Sequence, residues 1–354
     1  MSQKILEKIT TVQENHAIEV VLIFLFLSLA MIPGMARVET IVALENMMPA
    51  SSTPVEGVNE LRAEGIGKDS IAVKISTGNT EDGAQSINNN KTEAYIEDLS
   101  NDVRAIQGVT QVMSPLQREG LIDERKQNAV ITAYTYVGDS GGEMDRIFNE
   151  INEEAKYERP EGVETEISGV PAVQQRLSSM VARDKNVTTM ISLGLVFLIT
   201  LGLFQGSFSS AIMPLLVVAL SVVWLYGTMG YLGIPLSTLA GSVAALVIGI
   251  GIDYSVHILN TYRFHRRDNS IGEALSEAVG ETGVAIVATS ITTISAFMAF
   301  LSGMMPEMHR FGLIMSIGIG YALLFSFFLL PSVFVLEEKA MKKIHESVNW
   351  RHDF

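Results

Sequence analysis

The sequence predicts a multi-pass membrane protein: six membrane-spanning α-helices, with an α/β domain inserted between the first and the second. Three observations carry this. Charged residues make up only 18% of the 354 residues, and mean hydropathy is +0.29. The 67 residues between Lys185 and Asp253 contain no Asp, Glu, Lys or Arg. By contrast, Arg37–Lys185 is 149 residues with 26 acids and 15 bases, and so holds most of the net charge of −14.

The first span is Val20–Ala36, a 17-residue uncharged run at the short end of the roughly 20 apolar residues that a bilayer crossing needs. Extended back to Ala17 it includes Glu19, near the interface. A secretory signal peptide wants a basic leader. Met1–Glu19 has two Lys against three Glu, so an uncleaved helix is expected.

Arg37–Lys185 is long enough for a domain of its own. Ser70–Ser76 alternates apolar and polar residues and reads as a strand. Thr92–Ile106 has helical spacing at Tyr95, Leu99, Val103 and Ile106. Val109–Met113 follows Gly108 as a short strand. Ala129–Val137 is a second β-rich run, Gly142–Tyr157 a helix with Met144, Ile147, Phe148 and Ile151 on one face, and Val163–Ser168 a last strand. The order β-α-β-β-α-β is that of a ferredoxin-like unit. Ser76–Lys91 is polar and reads as a mobile loop, and Pro171–Asp184 reads as a helix feeding the second span. The acids are scattered as on a solvated surface and show no metal or catalytic constellation.

The long uncharged stretch divides at two turns, Gln205–Ser210 and Gly230–Pro235, into three spans. Pro214 falls early in the middle one, where its missing N–H costs little. Thr282–Pro306 and Phe311–Leu336 supply two more. The expected plan is residues 1–36 for a cytoplasmic tail and helix one, 37–185 for the external domain, 186–336 for helices two to six (about 187–205, 211–230, 236–259, 282–304 and 311–336) and 337–354 for a cytoplasmic tail. Orientation follows short-loop basic residues. Arg263, Arg266 and Arg267 open one loop, and Lys339, Lys342, Lys343 and Arg351 lie in the tail, so both are expected on the cytoplasmic side. Ser270–Glu281 carries a stripe of Ile271, Ala274, Leu275, Ala278 and Val279. It is either an amphipathic helix on the membrane face or a connection packed beneath the bundle.

Composition also excludes classes. The apolar content rules out disorder. Absence of Cys rules out a thiolate nucleophile, Cys-ligated zinc and iron–sulfur clusters. An acidic balance argues against nucleic acid as a partner. No phosphate loop, nucleophile–base set or metal motif suggests an enzyme, and no cofactor is expected.

Asp253 is the exception to the apolar pattern. A carboxylate at the centre of a membrane helix costs roughly 2.5–3.5 kcal/mol or more, and such residues are functional by default. The competing reading is that it lies near an interface and snorkels, or caps a neighbouring helix. Gly241, Ala245, Gly249, Asp253 and His257 are spaced by four and share one face. Small residues so spaced let membrane helices approach closely, so Gly241, Ala245 and Gly249 read as a packing face and Asp253 as facing protein. A carboxyl held away from water takes up a proton more readily, as proton-driven transport requires. His257, one turn on, reads as a proton relay or as an interfacial hydrogen-bonder. On the fifth helix Ser290, Thr292 and Thr293 could bond the acid, or satisfy their own backbone.

These residues resemble a known family. Gly249-x-x-x-Asp253-Tyr254, then Ser255-x-His257 and Asn260-Thr261-Tyr262-Arg263, is the most specific motif. Thr289-Ser290-Ile291-Thr292-Thr293 follows on helix five, then Arg310-Phe311-Gly312 and Leu329-Leu330-Pro331 on helix six. In order over nearly the whole chain, they resemble one half of a resistance–nodulation–division (RND) transporter. The nearest branch holds the large mycobacterial membrane proteins, hopanoid exporters and Patched-like proteins. The resemblance implies that Asp253 and Tyr254 belong to a proton-relay site and that the external domain is a porter domain handling substrate. It also implies an assembly of two or more chains, since a full transporter of this kind has two such halves; a homodimer is expected, with a trimer as the alternative. The leading functional expectation is a proton-motive-force-driven exporter of a hydrophobic or lipidic substrate in the cytoplasmic membrane. The alternatives are a lipid-binding or sensing protein like a sterol-sensing domain, and an export accessory like the SecDF proteins.

Overall fold

A computed structural model describes residues 3–41, 48, 49, 51–53, 55–57, 60, 69–78, 86–118, 120–135 and 142–349. The chain divides into two compact units: Met1–Thr40 with Val181–Phe354, and Ile41–Met180. In chain order the helices are α1 (Gln3–Asn15), α2 (Ala17–Met35), α3 (Asn90–Ala105), α4 (Gly142–Glu154), α5 (Val170–Leu203), α6 (Phe208–Leu232), α7 (Val243–His265), α8 (Ile271–Glu277), α9 (Gly283–Met298) and α10 (Pro306–Asn349). The strands of the second unit are β1 (Asp69–Thr77), β2 (Val109–Met113), β3 (Asn128–Thr135) and β4 (Val163–Gly169).

The second unit is built on strand alternation. Ile71, Val73 and Ile75 of β1 and Ala129, Ile131 and Ala133 of β3 point to one face and are 0–1% exposed. Tyr95, Ile96, Leu99 and Val103 of α3 and Met144, Ile147 and Ile151 of α4 bury the same core. The strands run antiparallel in the order β2-β3-β1-β4. Asn89 caps α3 by accepting from the Lys91 amide at 3.1 Å. Gly108 sits at φ 99° between α3 and β2, a conformation that side chains with a Cβ rarely adopt. Of the Ser76–Lys91 stretch expected to be a loop, residues 79–85 lie outside the described residues, while Ile87 is fully buried in the core. Residues 136 and 137 of the expected second β-run also lie outside them.

The Tyr95 hydroxyl donates to the Ala155 carbonyl at 2.5 Å, and burial pushes its phenol up to about 12. A raised value means that this contribution is complete below the unfolded value near 10 and is lost as pH climbs from there to about 12. Tyr95→Phe should cost about 1 kcal/mol at neutral pH and flatten the stability profile above pH 10. Chemical unfolding of wild type and variant across that range checks it; parallel profiles would refute the assignment.

In the first unit six helical segments are long and apolar enough to cross a membrane: Ala17–Met35, Ala172–Leu203, Phe208–Leu232, Leu239–His265, Ile271–Ser302 and Pro306–Lys343. α6, α7 and α10 form its packed centre. The most apolar windows of these three segments are 50%, 56% and 61% buried, against 11%, 6% and 11% for the segments holding α2, α5 and α9. An aromatic cluster joins α2, α6 and α10: Phe24, Trp224, Tyr321 and Phe325, with centroids 5.0–5.9 Å apart. Trp224 Nε1 donates to Ser28 Oγ at 2.9 Å, and Thr228 and Tyr321 share a hydroxyl bond of 2.7 Å. Where α2 crosses α6 the backbones nearly touch. A Cβ on Gly34 would lie 2.4 Å from the Gly227 carbonyl oxygen, and one on Gly230 would lie 1.8 Å from that of Gly34. No residue but glycine fits there.

The two ends of the bundle differ. At one, the Glu39 carbonyl accepts from the Leu236 amide at 2.7 Å, beside the Gly233 turn. At the other, Arg266 binds Glu338 through Nε at 2.8 Å and through Nη2, while the Tyr262 hydroxyl donates to the same carboxylate at 2.7 Å. α1 closes this Arg266 end. Gln13, 2% exposed, donates to the Phe327 carbonyl at 2.7 Å, and Lys339 donates to that of Glu14. α8 begins in a capping box of Ser270 and Glu273. Four of the five stripe residues are buried, Ala274 and Leu275 of α8 fully so, and α8 packs against α1 and α7. This selects the second sequence reading, a connection beneath the bundle. A π-helical turn, Ala278–Thr282, leads from α8 into α9.

Candidate functional site

Asp253 stands fourteen positions after Leu239 and twelve before His265, so the acid lies near the middle of this helical segment, ~20 Å from either end. The apolar pattern predicts that this helix stops at residue 259 and that the acid falls toward one end. Instead α7 continues through Asn260–Arg263, where Tyr262 stacks on Phe334 at 5.2 Å. The helix end is fixed by this aromatic contact and by Arg266, neither visible as an apolar run.

α7 has two faces. Val247, Ile248, Gly251, Ile252, Ser255, Ile258 and Leu259 are buried against the centre of the bundle. Gly251 lies against α10: a Cβ there would meet the Ala322 Cβ at 2.9 Å. The opposite stripe, Leu246, Gly249, Asp253, His257 and Asn260, is exposed. Asp253 and His257 are one turn apart on this open stripe. Gly241 is buried, and a Cβ added to it would lie 3.3 Å from Val181 Cγ1. Ala245 is half-buried, and a Cβ added to Gly249 would meet no described residue outside its own helix within 4 Å. The three small residues expected to form one packing face thus differ: Gly241 packs within the chain and Gly249 is left open.

Tyr254, 6% exposed, turns inward from its neighbour and reaches Ser290 of α9. Ser290 Oγ is fully buried without a hydrogen bond of normal geometry. Thr292 and Thr293 both donate to the Thr289 carbonyl at 2.8 Å, so those hydroxyls satisfy their own helix. The residues expected to form one relay therefore fall into two sets: Asp253 and His257 on the open stripe, Tyr254 and Ser290 in the seam beside it. Sequence reasoning missed two neighbours. Ser326 of α10 bonds Ser255 at 2.8 Å between fully buried side chains, giving α7 and α10 a dry polar bridge. Glu307, 4% exposed, accepts from the Leu239 amide at 3.1 Å and holds the start of the span. A lone acid between two apolar runs was the available signal for Glu307. Among the described residues no group of three or more His, Cys, Asp or Glu could hold a metal ion.

A family model described as the MMPL family matches residues 48–353. The chain belongs to the MMPL family. It is a multi-pass membrane protein of the RND superfamily. A membrane protein of Methanocaldococcus jannaschii is 28% identical over 371 residues, covering 96% of this chain and 95% of its own. The membrane protein YdfJ of Bacillus subtilis is 24% identical over 78% of this chain and 37% of its own. The hopanoid transporter HpnN of Rhodopseudomonas palustris is 25% identical over 53% of this chain and 22% of its own. The chain thus spans nearly the whole of the first relative and about a third or less of the others.

Proposed function

We propose that this MMPL protein is a proton-motive-force-driven exporter of a hydrophobic or lipidic substrate, and that Asp253 carries the proton. The observation that carries the reading is a mid-helix carboxylate on a stripe that the described residues of its own chain leave uncovered. Facing hydrocarbon alone, it would bear the full cost of an isolated membrane charge. Covered by a second copy across the notch at Gly249, it becomes a gated carboxyl that loads and releases a proton. His257 hands the proton along the stripe. Tyr254 and Ser290 line the adjoining seam, with Thr293 three residues further along α9. The working unit is an assembly of at least two chains, a homodimer before a trimer, in the cytoplasmic membrane. A relative named as a hopanoid transporter supports a lipidic substrate. The sheet order β2-β3-β1-β4 supports reading residues 41–180 as a ferredoxin-like porter domain, and the basic residues Arg263, Arg266 and Arg267 support placing it on the outer side. The test is substrate movement in proteoliposomes: it should follow an imposed proton gradient and collapse with a protonophore. Transport indifferent to the gradient would sink the proposal.

The orientation has its own test. The chain has no Cys, so single probes report cleanly. A Cys at Asn89 should react with an impermeant maleimide in intact cells, and one at Asn269 only after permeabilisation. The reverse pattern would invert the topology.

A further inference from the structure

A cleft of about 340 Å³ opens between α2, α5, α6 and α7 toward the Gly233 end, apart from the Asp253 stripe. Its walls are largely apolar, with Met190, Leu193, Val222 and Val223 among them. Four polar residues break that lining, Lys185, Asn186, Thr189 and Tyr226, and two of them carry the argument. Tyr226 is 5% exposed, and its hydroxyl is buried with no hydrogen-bond partner. Lys185 stands with Nζ 5.2 Å from the centre of the Tyr226 ring, and among the described residues no carboxylate pairs with it. Thr189 is already committed to the Lys185 carbonyl at 2.6 Å.

A cation and an unused O–H donor both call for an anionic oxygen. A ring face within about 6 Å steadies the ammonium without neutralising it. A small inorganic anion would satisfy both groups yet leave the apolar wall empty. Leu193 lies eight residues beyond Lys185 on α5 and Ala219 seven before Tyr226 on α6, so that wall continues for ~10–12 Å from the polar pair. That is the shape of a charged head with an attached tail.

We propose that this cleft binds a membrane lipid with an anionic phosphate head, the head at Lys185 and Tyr226 and an acyl chain along Met190, Leu193 and Val223. The inference gives a place and a head-group class to the lipidic substrate proposed above, and rests on that reading. Cationic amphiphiles are repelled by Lys185, and an uncharged one leaves its charge unanswered.

The experiment uses the whole chain in phosphatidylcholine nanodiscs, titrated with tail-labelled phosphatidylglycerol. Native mass spectrometry and fluorescence read occupancy, with added glycerol phosphate as the tail-less competitor. Phosphatidylglycerol should bind at least tenfold better than labelled phosphatidylcholine, and glycerol phosphate should not displace it. Lys185→Gln should abolish the preference. Tyr226→Phe should weaken it severalfold with no loss of thermal stability, since only an unpartnered hydroxyl is removed. Equal binding of the two lipids, an undiminished preference in Lys185→Gln, or displacement by glycerol phosphate would overturn the site. Asp253→Asn should keep the lipid. Wild-type transport by that variant would overturn the relay and leave the cleft standing, so the two failures are distinguishable.

Discussion

Asp253→Asn reduces gradient-driven transport to the background of empty vesicles, while expression, oligomeric state and lipid content stay near wild type. Asparagine keeps the shape and most of the hydrogen bonding of the carboxyl and cannot titrate. Near the midpoint of the Leu239–His265 span there is no second acid to take over, since Glu307 lies at its start, fixed to the Leu239 amide. The variant should also be more stable in detergent, by up to roughly 2 kcal/mol, because part of the cost of a mid-membrane charge is relieved. Tyr254→Phe is the milder companion: it removes a hydroxyl from the Ser290 seam and no proton carrier. Reconstituted protein with an internal pH dye measures both. An Asp253→Asn variant that transports at wild-type rate under a proton gradient removes proton coupling through this residue.

The second large effect separates two glycines. Gly230→Leu places carbon where the Gly34 carbonyl oxygen now sits, and both partners are backbone, so the clash cannot be relieved by a side chain turning away. α2 must leave α6, taking the Trp224–Ser28 bond and the Phe24 ring contacts with it. A loss of more than ~3 kcal/mol is expected, with little folded protein recovered. The Cβ of Gly249→Leu would meet nothing within 4 Å among the described residues of its own chain. The folded protomer should be unchanged within about 0.5 kcal/mol, while self-association and transport are lost. Size-exclusion chromatography with light scattering, alongside thermal unfolding, reads the two apart. A Gly249→Leu protein that assembles and transports normally would show that this stripe is not an interface.

Much of this is visible in the residues because a bilayer imposes a coarse rule. An uncharged run of about 20 residues has few alternatives to a membrane helix, so Phe208–Leu232 and the apolar part of α10 follow from charge alone. Strand alternation at Ile71, Val73 and Ile75 is nearly as direct. The rule falls silent once charges return. α10 continues to Asn349 through Glu337, Glu338 and Lys339, which are good helix formers in water as in the interface. α1 reads as a tail because its covered residues include polar Thr10 and Gln13. At the site the motif puts Asp253 and Tyr254 side by side, but neighbours on a helix point about 100° apart. Which of the two faces the bundle depends on where α10 lies. The same holds for the small residues. Spacing by four marks Gly241, Ala245 and Gly249, whereas the tight crossing inside the chain uses Gly34, Gly227 and Gly230, a contact between segments nearly 200 residues apart.

Among the described residues a π-helical turn occurs in the fifth span alone, at Ala278–Thr282. A π turn holds one residue more than the α-helix around it, and that surplus can travel. Each step along the helix exchanges only one or two backbone bonds. Only the residues that the turn passes are rotated, by about 100°, and shifted by ~1.5 Å, while the helix on either side keeps its place. The turn is braced where the Thr261 and Thr282 hydroxyls meet at 2.7 Å. Carrying the turn past Ser290 would exchange which of Ser290 and its neighbours stands against Tyr254, without melting the helix.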